Sequence, residues 1–171
     1  MKPLIIAALA VIPLSAVPVT GSSADATPDM SFYKQLAEGN TAEIRDGQLA
    51  QKKSSNQAIK DFGAMMVKDH TAAGGELTSL AKSKGVKLPE GPGMAADTKK
   101  AQLDVLTGAT FDKSYVKGQI KAHRETVDLL QKEISTGQDP QAKAFAEKVL
   151  PTVKSHLHEI VGIAGNMGIK A

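Results

Sequence analysis

Apolar residues recur at three- and four-residue steps along four long stretches of this chain, and sustained strand-type alternation is absent. The first stretch runs from about Asp29 to Lys53, with Thr27-Pro28 offering a cap and a first-turn proline. Ser54, with Gln57 three residues on, is a capping-box signal for the second. That stretch carries Phe62, Met66, His70, Leu77 and Leu80 to a stop at Gly85. Val86 to Gly93, containing Leu88-Pro89 and Gly91-Pro92-Gly93, is the clearest break in the chain. Ala95 to Leu106 then reads as a short amphipathic helix, interrupted at Thr107-Gly108. Thr110 is expected to cap a long helix from Phe111 to about Thr136, which Gly137 ends. Asp139-Pro140 opens the last helix, extending to about Met167, with a kink predicted at Pro151.

The fold class is all-α. Four main helices with short connections favour an antiparallel four-helix bundle. The break and short helix between the second and third main helices are long enough for a crossover. Spacing alone therefore allows both an up-down-up-down and an up-down-down-up path.

The apolar rows contain residues that do not belong there by composition. His123 lies three residues after Ile120 and four before Val127, in the centre of its stripe. His156 falls in the row Val149, Val153, Ile160, Ile163, and His70 in the row Met66, Val67, Ala73, Leu77. On the first helix, Leu36, Asn40, Glu43, Gly47 and Ala50 form one row, which suits an inward Glu43, while a row this mixed also suits a solvated face. His158 is about 200° around the helix from His156 and faces water. An imidazole on an apolar stripe needs a hydrogen-bond partner or a metal. Three on separate helices, with one carboxylate, suit a single divalent ion such as Zn, Fe, Cu or Ni. The same four residues also suit a polar layer, with Glu43 paired to histidine and fixing helix register.

Composition narrows the setting. Met1-Lys2 leads into an apolar run from Leu4 to Val19, broken by Pro13 and Pro18 and too short to span a bilayer. Ala24-Asp25-Ala26 fits the small-residue cleavage rule, so residues 1–26 read as a secretory signal and 27–171 as one exported domain, periplasmic in a Gram-negative source. With no cysteine, disulfides, thiolate metal sites and lipidation at a cysteine are all excluded. With no tryptophan and 4% aromatic residues, the core must be aliphatic and Met-filled. The net charge of +3 is mild and mixed in sign, with no basic stripe for nucleic acid and no second candidate membrane span.

Other chemistry is thin. Met65-Met66 reads as core filler, and Tyr33 and Tyr115 as bundle-end residues. Asp69 reads as a surface carboxylate or a support for a neighbouring ligand, while Asp61, Asp112, Glu125 and Glu159 read as solvated faces. No phosphate loop or nucleophile elbow is present, and His158-Glu159 lacks the second histidine of a zinc-protease helix.

The run Asp61-Phe62-Gly63-Ala64-Met65-Met66-Val67-Lys68-Asp69-His70-Thr71, with Glu76-Leu77 and Ala81, resembles a motif of an exported bacterial family. That family is domain of unknown function 4142, whose members are often labelled outer membrane proteins. Phe111-Asp112-Lys113-Ser114-Tyr115-Val116 leading to His123, and Leu150-Pro151-Thr152-Val153 leading to His156, are similar to its later motifs. The likeness covers roughly Phe32 to Ala164. It implies a ferritin-like four-helix bundle with the crossover path, and it carries the family's motif residues onto Glu43, His70, His123 and His156. It brings no activity, and the outer-membrane label does not imply a β-barrel in a chain without strand patterning.

Ferritin-like di-iron enzymes place Glu-x-x-His on two helices. Here Val67, Ile120 and Val153 stand three residues before the histidines, a poor match to ferroxidase chemistry. The expectation is a non-enzymatic exported bundle, holding one divalent metal on Glu43, His70, His123 and His156, in envelope stress or metal handling. The alternatives are a helical module for an unknown protein partner, with histidines that only pack, and an oxidase or hydrolase that uses the metal.

Overall fold

The computed structural model describes residues 29–170. The expected signal segment, its cleavage site and the Thr27-Pro28 cap lie outside the described residues. Five helices and no strands are present among them: α1 Met30–Lys53, α2 Gln57–Ser83, α3 Met94–Asp104, α4 Gly108–Thr136 and α5 Pro140–Asn166.

The helix boundaries follow local chemistry, with two departures from expectation. Asn56, rather than Ser54, caps α2: its side-chain oxygen accepts from the Ala58 N–H at 3.0 Å. Ser54 Oγ accepts instead from the Asn56 N–H, holding the turn between the two helices, while Gln57 donates forward to Asp61. The capping-box pattern was present, but the Asx side chain next to the first helical residue competes better. Helix α4 begins three residues earlier than expected, at Gly108, whose φ of +53° is one that a Cβ-bearing residue resists. At the other ends, Gly85 and Gly168 both adopt a φ of +66°. Each is followed by a residue whose N–H reaches back to a helix carbonyl (Val86 to Ala81, Ile169 to Ala164, both 2.9 Å), which is the Schellman arrangement. Helix α5 runs unbroken through Pro151.

Residue pairs define the chain path. Helix α1 packs mainly on α2 and α4 mainly on α5, with α1 also on α4 and α2 on α5. Gly47 and Gly63 face one another so closely that a Cβ on either would come within 2.7 Å of the other's carbonyl oxygen. Tyr33, early in α1, meets Asp139 beyond the end of α4, and Lys53, at the end of α1, sits over the Phe111 ring near the start of α4. Helices α1 and α4 therefore run in opposite directions. The Asp69–His156 and Glu76–Lys148 contacts oppose α2 and α5 in the same way. Helices α2 and α4 must then run the same way, and the chain between them returns along the length of the molecule. Helix α3 lies on that return, against α1 and α4.

Two apolar clusters fill the interior. One gathers Ile59, Phe62, Met66, Phe111, Val116 and Ile160, and the other Phe32, Tyr33, Leu77, Leu130, Phe145 and Val153. Along every long helix the inward polar residue falls between them. On α2, His70 follows Met66 of the first cluster and precedes Leu77 of the second, and on α5, His156 lies between Val153 and Ile160. On α4, His123 lies between Ile120 and Leu130, and on α1, Glu43 lies between Ala37 and Ala50. A polar layer thus separates two greasy ones. None of the described helices is long and apolar enough to cross a membrane.

Candidate metal centre

Three helices bring His70, His123 and His156 to one point. All three are buried, and one candidate ligand nitrogen from each lies within 4.8 Å of the others. Ring centroids are 5.6 Å apart for His70–His156 and His123–His156, and 6.1 Å for His70–His123. Nitrogens bound tetrahedrally to one ion at ~2.0–2.1 Å stand about 3.3 Å from one another, so closure moves each ring by less than ~1 Å.

Each ring uses one nitrogen on the protein and keeps the other bare. His70 Nδ1 donates to Asn40 Oδ1 at 3.0 Å, and His123 Nδ1 to the Gln119 backbone carbonyl at 2.9 Å. His156 Nε2 donates to Asp69 Oδ2 at 3.0 Å. The remaining atoms, His70 Nε2, His123 Nε2 and His156 Nδ1, are buried and unpartnered. Ligating histidines characteristically donate the far ring N–H to an amide, backbone or carboxylate oxygen, which orients the ring and fixes its tautomer. All three kinds of oxygen occur here.

Electrostatics keep lone pairs available. Burial, reinforced by the neighbouring His123 and His156, pushes the His70 pKa down to about 3, with Asp69 opposing. Burial likewise lowers that of His156 against the favourable bond from Asp69. Neutral imidazole is the ligating form.

Glu43 is buried as its row implies, but its carboxylate is not in the group that converges with the three histidines. It borders a small cavity of about 50 Å³ that also touches His70. Desolvation raises its pKa, opposed by His123, Lys99 and Gln119.

Several buried polar groups near this layer escaped the sequence reading. Asp46 is buried and held by the Lys99 ammonium of α3 at 3.0 Å. Asp112, expected on a solvated face, is buried with one oxygen unpartnered. Asp112, Val116, Gln119 and His123 stand at steps of four, three and four, so the row that located His123 also contained Asp112. Tyr115 lies in the core with its hydroxyl unpartnered, rather than at a bundle end, whereas Tyr33 bonds Asp139 at the α4–α5 turn. Asp61, Glu125, His158 and Glu159 are exposed.

The sequence matches the family described as Domain of unknown function (DUF4142) over residues 15–163, and the chain belongs to that family. No curated protein matches it. Among solved structures, a DUF305 fragment from Deinococcus radiodurans is similar with a TM-score of 0.73 and 13% identity, covering 82% of this chain and 98% of that one. A DUF305 protein from Streptomyces coelicolor, described as a candidate secreted protein, gives 0.69 at 11% identity over 81% and 93%. CopM in a Cu(II)-bound form gives 0.66 at 15% identity over 83% and 99%, and CopM in an Ag-bound form gives 0.65 at 14% over 82% and 97%. These likenesses establish a shared helical fold.

Proposed function

We propose that this chain is an exported metal-binding protein, a four-helix bundle of ferritin-type crossover connectivity that holds one divalent transition-metal ion on His70, His123 and His156. The observation that carries the reading is the triplet of bare, buried ring nitrogens, each backed by a hydrogen bond on the far side of its ring. Leaving a buried acceptor unpaired costs about 1–3 kcal/mol. A layer that served packing alone would pair such atoms or replace them with apolar groups, whereas an ion satisfies all three at once.

Three neutral imidazoles without thiolate or carboxylate suit copper or zinc best. Copper is the first candidate, since a protein of the same fold has been captured with Cu(II) and Ag. Glu43 would serve as a neighbour beyond a water-sized gap, taking part through solvent rather than as the fourth direct ligand. One ion without a Glu-x-x-His pair supports storage, buffering or delivery in the cell envelope rather than oxidase chemistry. Export rests on the signal-like residues 1–26, and the periplasm is the compartment in a Gram-negative source.

The mature protein, purified without affinity metals, tests this by elemental analysis. Near one equivalent of copper or zinc is expected, and none in the variant with all three histidines replaced by alanine. A metal-free protein whose melting temperature is unmoved by Cu, Zn, Fe or Mn would refute the site and leave an interaction module with packing histidines.

A further inference from the structure

A cleft between α2 and α5 opens onto the histidine cluster on the side of His70 and His156. It has a volume of about 220 Å³ and is lined by Asp69, His70, Ala72, Glu76, Lys148 and His156, among others. Two of the three rings border it, and both carry an unpartnered buried nitrogen. An adjoining interior pocket is far smaller, about 50 Å³, and of the histidines borders only His70, among largely apolar side chains such as Leu36, Leu129 and Phe145. The crevice beneath α3 is larger, about 700 Å³, but borders none of the three histidines.

Charge in the cleft is arranged by depth. At its inner end Asp69 binds His156 through Oδ2 and is still 30% exposed, so it touches both the ring and solvent. Its other oxygen has no partner among the described residues. Seven residues on, about 10 Å along α2, Glu76 meets Lys148 of α5 at 2.6 Å, with both side chains about half exposed. The ion pair lies across the outer part of the cleft. Lys148 offsets Glu76, leaving Asp69 as the uncompensated charge.

We propose that this cleft is the ion's way into the bundle and that Asp69 is its first ligand. The proposal rests on the histidine site above. A hydrated cation drawn into the cleft exchanges one water for the free Asp69 oxygen. It then trades that oxygen and its remaining waters for the bare nitrogens of His156 and His70, and His123 completes the set. Asp69 keeps its bond to His156 Nε2 throughout, so delivery and ring orientation are done by the two oxygens of one carboxylate. The Lys148 ammonium slows this traffic by repelling cations and by occupying Glu76.

Stopped-flow mixing of the full mature chain with Co²⁺ alone, followed by visible absorption, reads association and dissociation separately. Lys148→Glu should speed association at least about threefold at low ionic strength, and the gain should vanish in high salt. Ala72→Phe, at an exposed position on the cleft, should slow association and dissociation by a common factor and leave the equilibrium affinity unchanged. Asp69→Asn should slow association at least about tenfold; an Asp69 that only orients His156 would instead raise dissociation and leave association untouched. Lys121→Glu, at an exposed position on the crevice beneath α3, is the control and should leave both rates unchanged. Co²⁺ binding whose rates respond to Lys121→Glu, and not to Lys148→Glu or Ala72→Phe, would overturn this route while sparing the site. Absence of Co²⁺ binding in every variant would remove the site and the route together.

Discussion

Replacing His123 with leucine, a residue of similar volume, should change stability with opposite signs in the metal-free and metal-loaded protein. In the native chain His123 is 1% exposed and leaves Nε2 buried and unpartnered. Its other nitrogen donates to the Gln119 carbonyl, which lies one helical turn back and retains its backbone partner when the ring is removed. Leucine therefore orphans no group and removes one unsatisfied acceptor from a layer bordered by Ile120 and Phe62. The metal-free variant should be more stable by about 1–3 kcal/mol. That corresponds to a rise in melting temperature of roughly 3–10 °C for a chain of this size. With an ion at a hundred times its dissociation constant, the native chain gains about 2.7 kcal/mol and the variant gains little, so the order reverses or closes. Circular-dichroism melts with EDTA and with added Cu²⁺ or Zn²⁺ measure both ends of this comparison. A variant destabilised by several kcal/mol in EDTA, paired with a native chain indifferent to metal, would refute the reasoning and assign His123 to packing.

The Glu133 pKa is pushed up to about 7, first by burial and then by Asp29 and Asp139, from an ordinary value of 4.5. Between those pH values the native state keeps a proton that the unfolded chain has lost, so this group's contribution falls as pH rises through that window. The lowered His70 and His156 act in the opposite sense, favouring the fold as pH rises towards their unfolded value of 6.5. Comparing Glu133→Gln with the native chain in urea isolates the first effect: the variant's advantage should grow by up to about 1.4 kcal/mol per pH unit and flatten above pH 7. An advantage independent of pH would contradict it. Gly47→Ala should cost about 1–3 kcal/mol, because its Cβ would fall 2.6 Å from the Gly63 carbonyl oxygen, and Gly39→Ala, with open space around it, is the matched control in the same melts. Asp139 caps α5 and also takes the Tyr33 hydroxyl and the Lys84 ammonium, so Asp139→Ala should cost more than the ~1 kcal/mol of an ordinary cap. Hydrogen exchange should show the loss concentrated at the first turn of α5, and uniform loosening would point elsewhere.

The histidines were legible in the sequence because a single period of 3.6 residues governs both the apolar stripe and anything embedded in it. His70, His123 and His156 could be assigned to the interior one helix at a time. Their convergence could not, because register between helices depends on contacts such as Gly47 against Gly63, made by residues with no side chain to advertise them. Glu43 illustrates the same limit from the other side: its row fixed its burial but not which neighbour it would face. Asn40 stands in the Glu43 row and Asp69 suited either a surface or a supporting role, but which rings they orient is fixed only when the partner helix is in place. Asp112 was different. Its position in the His123 row was readable, and its charge argued wrongly for solvent. Loop length left the chain path open, and what bears on it are pairings far apart in sequence, such as Tyr33 with Asp139, which set α1 against α4.

The return segment carrying α3 divides the chain into two hairpins, α1–α2 and α4–α5, each built from contacts close in sequence. Such units assemble quickly and with little help from the rest. His70 belongs to the first hairpin, while His123 and His156 belong to the second. An ion on all three is therefore a rivet through the seam, and parting the halves would first mean breaking a metal–nitrogen bond. Loading of the proposed site would couple two modules that could otherwise come apart separately, so its occupancy would decide whether this molecule melts in two steps or in one.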